Sequence, residues 1–158
     1  MEVCVIQSPL GSLRLSLSAK GLQRLEYLAP GSGLLPAASA LSKKISQQLI
    51  AYFAGDAQTF DIPLDLIGTC YQKKVWTELL QLGFGETLSY GTLAQKIDSG
   101  ARAVGNACRN NPILIIVPCH RVLRKDASGG YAGQNEGIMM QRKLWLLRHE
   151  AKFSQQSG

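Results

Sequence analysis

The sequence has only two histidines, His120 and His149, in 158 residues, and its four cysteines, Cys4, Cys70, Cys108 and Cys119, contain no CxxC pair. A Cys/His zinc site needs ligands clustered at short spacing. Cys4, Cys70 and Cys108 are scattered and have no histidine near them, so no metal is expected. No apolar run is long enough for a transmembrane helix, and the N-terminus lacks a basic-then-apolar segment of the secretory kind. These absences predict a soluble, cytoplasmic chain with no membrane partner, whose cysteines are free thiols rather than disulfides. Internal repeats are also missing, and only the last few residues have the look of a disordered tail.

What is present is apolar material and an uneven charge. Hydrophobic residues make up 46 % of the chain, ample for one packed core or two small ones. Residues 1–65 carry five Lys/Arg against five Asp/Glu, whereas residues 66–158 carry twelve against six, which is the whole of the net +6. A neutral half and a basic half predict two modules, the second facing a polyanion.

The first half reads as strands followed by a helix. Val3–Ile6 and the alternating Leu13-Arg14-Leu15-Ser16-Leu17 flank the turn Pro9-Leu10-Gly11, and Gly21 introduces a third strand over Leu22–Leu28. Residues 29–39 are rich in Gly, Pro, Ser and Ala and read as a loop. Leu41, Ile45, Leu49, Tyr52 and Phe53 recur at helical spacing, with Gly55 as the stop. Phe60–Leu66, interrupted by Pro63, is an edge strand or an extended linker. The domain boundary falls at 66/67, giving a small α+β unit over 1–66 and a second domain over 67–158.

The second half is mainly helical. Thr69 caps a helix whose face is Val75, Trp76, Leu79 and Leu80, and Gly83 stops it. Ser89 caps a short helix through Ile97; after Asp98-Ser99-Gly100, a further helix runs from Ala101 to Arg109. Helix, short Gly-bearing turn, helix is the helix-turn-helix pattern, and the small Ala101, Ala103, Gly105 and Ala107 permit close approach to a core or a nucleic-acid groove. Residues 124–130 form a polar loop, and a last helix spans Gln141–Lys152 with Leu144, Leu147 and Ala151 on one side.

The stretch Val117-Pro118-Cys119-His120-Arg121-Val122 concentrates the chemistry. The apolar run Ile113–Ile116 before it reads as a buried strand, and Pro118 suits the first position of a following helix. Cys119 would then lie in the first turn of that helix, where free N–H groups and the dipole favour a thiolate. An unperturbed thiol is only about 3 % ionised at pH 7, so a nucleophilic cysteine needs such help, or a base such as the adjacent His120. By themselves the residues equally allow an inert core cysteine beside a surface histidine.

The wider pattern resembles the O6-alkylguanine–DNA alkyltransferases. Val-Pro-Cys-His-Arg-Val is similar to that family's acceptor site, residues 84–91 and 101–105 to its DNA-binding segments, Arg109-Asn110-Asn111-Pro112 to its hinge, and residues 130–133 with 145–150 to its closing segments. The resemblance implies a ribonuclease-H-like N-terminal domain followed by a winged helix-turn-helix domain, acting without a cofactor as a monomer on double-stranded DNA that carries O6-alkylguanine, and also O4-alkylthymine. It implies a single irreversible transfer of the alkyl group to Cys119, with His120 as base through a water, Glu150 orienting His120, and Asn111 bonding buried backbone. Tyr90 would protonate the departing guanine and help rotate the nucleotide outward, and Arg102 would fill the vacated stack. Gly91, Ala101, Ala103, Gly105, Arg109, Tyr71 and Lys125 would meet the DNA; Tyr131, Ala132, Gly133, Cys108 and Val122 would line the pocket. Two features depart from the family's pattern. Residues 134–140 make the segment after Gly133 longer, and the loop after Val122 is about one residue short. Two other classes remain at this point: a lesion-binding or regulatory winged-helix protein, from which the cysteine at the acceptor position separates this chain, and a cysteine hydrolase with turnover.

Overall fold

The computed structural model describes residues 1–124, 131 and 137–154. They fall into two compact units, residues 1–67 with 112–114, and residues 68–111 with the described residues from 115 onward.

The first unit is an antiparallel meander of β1 (Glu2–Ser8), β2 (Gly11–Ser18) and β3 (Gly21–Tyr27), followed by α1 (Ala40–Ala54). Alternation in β2 buries Leu13, Leu15 and Leu17. In β3 the inward residues Leu22 and Leu25 are three apart, which strict alternation forbids. A register shift opposite Ser16/Leu17 inserts one extra residue and turns both inward. Gly21 has φ +146, and a Cβ there would lie 2.4 Å from the Pro63 carbonyl oxygen, so only glycine allows the Leu22 amide its 3.0 Å bond to that oxygen. The Phe60–Leu66 segment makes a single bridge, Leu22 to Leu64, and is a linker rather than a full edge strand. Helix α1 is capped by Ser39 and buries Ile45, Leu49 and Tyr52. Glu2 accepts from the Ser42 hydroxyl and the Ala38 and Ser39 amides, and hydrogen bonding by the Ser39 side chain, then by the Ala38 amide and the Ser42 hydroxyl, holds its carboxyl near pKa 2.

The second unit contains α2 (Cys70–Leu79), β4 (Leu88–Ser89), α3 (Tyr90–Lys96), α4 (Ala101–Arg109), β5 (Val122–Leu123) and α5 (Ile138–Ser154). Thr69 and Ser89 cap α2 and α3 as their sequence positions predict. Trp76 is buried on α2 and donates its indole N–H to the Ala107 carbonyl at 2.9 Å, which fixes α2 on α4. The two-residue parallel ladder pairs Leu88 with Val122 and Ser89 with Leu123. It is invisible in the sequence; Tyr90 directly follows one strand and Arg121 directly precedes the other.

Three expectations are corrected. Ile113–Ile116 are all buried, yet they form no strand. Pro112–Leu114 pack with the first unit, where Leu25 N donates to the Pro112 carbonyl and Leu114 N to the Leu25 carbonyl; the chain then turns with Ile115 at φ +73. A short apolar run signals burial without fixing backbone geometry. The acceptor segment is likewise no helix start: Cys119–Arg121 is one 3₁₀ turn that ends in β5, with Pro118 before it rather than inside it. Finally, α5 begins at Ile138, and its buried face is Met139, Arg142, Lys143, Leu146, His149 and Glu150, whereas Leu144 and Ala151 are exposed. That helix packs polar groups inward, so apolar periodicity misplaces its face. The polar loop expected over 124–130 lies, beyond Arg124, outside the described residues, as does the terminal tail from 155.

Candidate functional site

Within the second unit the 3₁₀ turn, the end of α4 and one face of α5 bring four of the expected residues together. Cys119 is 4 % exposed. Its sulfur accepts a hydrogen bond at 3.2 Å from the Asn111 amide, which also donates to the Val117 carbonyl at 2.7 Å. Asn111 is itself anchored, its backbone N–H reaching the Cys108 carbonyl at the end of α4. One side chain thus holds the helix-turn-helix, the Val117 backbone and the thiol in register.

His120 is fully buried, and its Nε2 lies 2.7 Å from Glu150 Oε2. Burial alone pushes the Glu150 carboxyl up, but the hydrogen bonds and charges of His120 and Arg121 outweigh it and hold the group well below the usual carboxylate range. An ionised carboxylate can only accept, so Nε2 carries the imidazole proton and Nδ1 keeps its lone pair. Nδ1 has no hydrogen-bond partner among the described residues. Burial keeps the imidazole neutral by lowering its pKa, with the Glu150 contacts opposing and the charges of Arg121 and Lys143 reinforcing that effect. Histidine is therefore present as a base with a free nitrogen.

The thiol is not pre-ionised. Burial pushes Cys119 up to about 11, against the opposing pull of the Asn111 bond and the Lys143 charge. A three-residue turn supplies little dipole, so the expected helix-terminus activation is replaced by desolvation. A thiolate has to be made in the site by moving the proton to a neighbouring base. Tyr90, half-buried at the start of α3, is raised to about 12 by burial, with the Cys108 and Cys119 thiols adding to it, so its phenol keeps its proton near neutral pH. Cys108 is buried at the end of α4 and its thiol is also pushed up by burial.

Two contributors escaped sequence reading. Arg121 forks onto both oxygens of Glu150, Nε to Oε1 at 2.7 Å and Nη2 to Oε2 at 3.0 Å. Lys143 is buried on α5, donates to the Val122 carbonyl at 3.0 Å and is electrostatically coupled to both Cys119 and Cys108. Lys143 and Glu150 stand seven residues apart, two turns on one face, which is the one signal that links them.

The remaining expected residues are distributed as follows. Ala101, Arg102, Ala103 and Arg109 are exposed on α4, Gly91 is exposed on α3, and Gly105 lies beside the Tyr90 ring. Tyr71 shares a 2.6 Å hydrogen bond with Ser99 in the turn between α3 and α4. Val122 and Tyr131 are buried. Lys125, Ala132 and Gly133, and the long segment's residues 134–136, lie outside the described residues.

A helix-turn-helix unit carrying a buried, hydrogen-bonded cysteine beside a histidine–carboxylate pair defines a DNA-binding protein with a nucleophilic thiol. Residues 3–66 match the ribonuclease-like domain, and residues 70–152 the DNA-binding domain, of 6-O-methylguanine DNA methyltransferase. The chain belongs to this family of methylated-DNA–protein-cysteine methyltransferases. It is 44 % identical over 152 residues to the methylated-DNA–protein-cysteine methyltransferase of Mycobacterium leprae, covering 92 % of this chain and 89 % of the relative. Among solved structures it is similar to the Mycobacterium tuberculosis O6-methylguanine methyltransferase, with a TM-score of 0.81, 40 % identity and coverage of 94 % and 91 %. The same organism's OGT in complex with DNA gives a TM-score of 0.80 at 41 % identity, with coverage of 94 % and 92 %.

Proposed function

We propose that this protein repairs DNA directly, taking the alkyl group from O6-alkylguanine, and from O4-alkylthymine, onto the sulfur of Cys119. The observation that carries this reading is the neutral His120, oriented by Glu150, next to a thiol that Asn111 holds by hydrogen bond. The proton of Cys119 passes through a water to His120 Nδ1, and the sulfur attacks the alkyl carbon in line. A carbon–sulfur bond forms as the carbon–O6 bond breaks, and the guanine leaves with a proton from the Tyr90 hydroxyl. The product thioether has no leaving group that water can displace at an ordinary rate, so each molecule reacts once and needs no cofactor.

An exocyclic oxygen inside a duplex is beyond in-line reach of a side chain, so the nucleotide must rotate out. Arg102 on the exposed face of α4 fills the stack in this reading. The small Ala101, Ala103 and Gly105 and the exposed Gly91 let backbone approach DNA, with Arg109, Tyr71 and Lys125 meeting phosphates. Tyr131, Ala132, Gly133, Cys108 and Val122 line the base pocket in this reading, and the DNA-binding domain is of the winged helix-turn-helix kind. The protein acts as a monomer inside the cell.

Incubation with an oligonucleotide containing O6-methylguanine, followed by intact mass and peptide mapping, tests the proposal. The expected gain is about 14 daltons, one methylene equivalent, on Cys119 only, saturating at one per chain. Cys119→Ala abolishes it and leaves DNA binding intact. A gain on Cys4, Cys70 or Cys108, or more than one event per chain, sinks the mechanism.

A further inference from the structure

The guanidinium of Arg121 is committed on every side. Two of its nitrogens fork onto Glu150, and Nη1 donates to the Leu82 carbonyl at 2.7 Å. Glu150 is equally enclosed, since Oε1 also accepts the Gly85 N–H at 3.3 Å and Oε2 the His120 Nε2–H. A carboxylate buried this deeply beside an imidazole has two possible effects. Uncompensated, its charge draws a second proton onto the ring and removes the base. Compensated by a guanidinium, it keeps its orienting hydrogen bond while its field largely cancels. The structure shows the second arrangement.

We propose that Arg121 is a positioning residue for alkyl transfer, which by forking onto Glu150 neutralises and orients the carboxylate and so sets the pH range over which His120 acts as the base. The proposal rests on the reading of Cys119 as acceptor and His120 as its base. Among the described residues, the charged groups acting on His120 are Glu150 and Lys143 from α5 and Arg121 from its own turn, in which Cys119 is the preceding residue. Glu150 favours the protonated ring, and Arg121 and Lys143 oppose it. Loss of Arg121 leaves Lys143 alone against an unneutralised Glu150, and the imidazole stays protonated to higher pH. The loop contacts at Leu82 and Gly85 bind the two ends of the fork, Arg121 Nη1 and Glu150 Oε1, and a lysine would keep the charge without the two-nitrogen fork.

The test is the single-turnover rate of transfer from an O6-methylguanine oligonucleotide at saturating protein, from about pH 5 to 9, the window in which histidine titrates. In Arg121→Gln the midpoint of the acid limb is expected to move up by about one unit or more. In Arg121→Lys the midpoint stays near that of the native protein while the plateau rate falls. In a Glu150→Gln background, adding Arg121→Gln moves the midpoint up by less than it does in the native background, because only the direct charge of Arg121 on His120 is then lost. A lower rate at every pH with an unmoved midpoint in Arg121→Gln would overturn the proposal and leave Arg121 a structural residue. If melting curves show Arg121→Gln to be unfolded, Arg121→Lys decides: a native midpoint with a lower plateau supports the proposal, and a moved midpoint or an unchanged plateau overturns it. Failure of the underlying reading is separately visible, as native protein that gains no mass on Cys119.

Discussion

At the scale of single residues the proposed site pairs two neutral groups, a thiol and an imidazole. Cys119 is held as a thiol by burial and His120 as a free base, also by burial, so neither is charged before substrate arrives. The rate of transfer is therefore expected to be level through neutral pH and to fall on the acid side only below the ordinary histidine range of about 6.5, as single-turnover measurements across pH will show. The same shifts set stability. His120 and Glu150 are both lowered on folding, so their contributions are present at neutral pH. They are lost as pH falls, first below the ordinary histidine value of 6.5 and then below the ordinary carboxylate value of 4.5. Cys119 is raised, so its contribution is present below the ordinary thiol value of 9.0 and is lost as pH climbs toward about 11. Melting temperature is thus expected to be highest near neutrality. Cys119→Ala should soften only part of the alkaline decline, since Cys108, Tyr90 and Cys4 are raised as well.

At the scale of elements, α5 and the loop after α2 do the positioning. One face of α5 sets Lys143 against the Val122 carbonyl and Glu150 against His120, so a single rigid helix addresses both ends of the acceptor turn. The loop after α2 reaches the same carboxylate only because Gly85 sits at φ +80, where a Cβ would lie 2.7 Å from the Ser154 Cβ. Gly85→Ala combines a left-handed non-glycine residue with that clash, and is expected to cost about 1–3 kcal/mol of stability. It should also slow transfer, since the displaced loop takes the Gly85 N–H and the Leu82 carbonyl away from Glu150 and Arg121. Denaturant melts together with transfer rates check both halves; an unchanged rate would remove the loop from any role in the site.

At the scale of the whole molecule, the neutral first half and basic second half predict how the protein meets DNA. Affinity should fall steeply with salt, as counterion release requires, and show little sequence preference, because the exposed side of α4 offers few base-reading side chains. Arg102→Ala should weaken repair of duplex DNA far more than reaction with the free alkylated base. Equal losses in the two assays would take Arg102 out of the nucleotide-rotation role. Salt titrations by fluorescence anisotropy and paired repair assays measure these outcomes.

Sequence alone carried the elements whose signals are local. Serine and threonine caps, the alternation of β2, the apolar stripes of α1 and α2 and the Gly-bearing turn between α3 and α4 each depend on a few neighbouring residues. They can be read without knowing what packs against them. The proposed nucleophile Cys119 and its adjacent histidine could be singled out for the same reason. Tertiary structure decided everything that depends on a distant partner. Ile113–Ile116 turned instead of forming a strand because half of the run packs with β3 in the first unit. The polar inward face of α5 defeated apolar periodicity, since its residues are buried against a charged site rather than a hydrocarbon core. The thiol's character reversed because burial outweighs the dipole of one short turn. Arg121, unremarkable in the chain, became the partner of Glu150 through contacts spanning 29 residues. Desolvation and long-range pairing are properties of the folded surroundings, and no short stretch of sequence contains them.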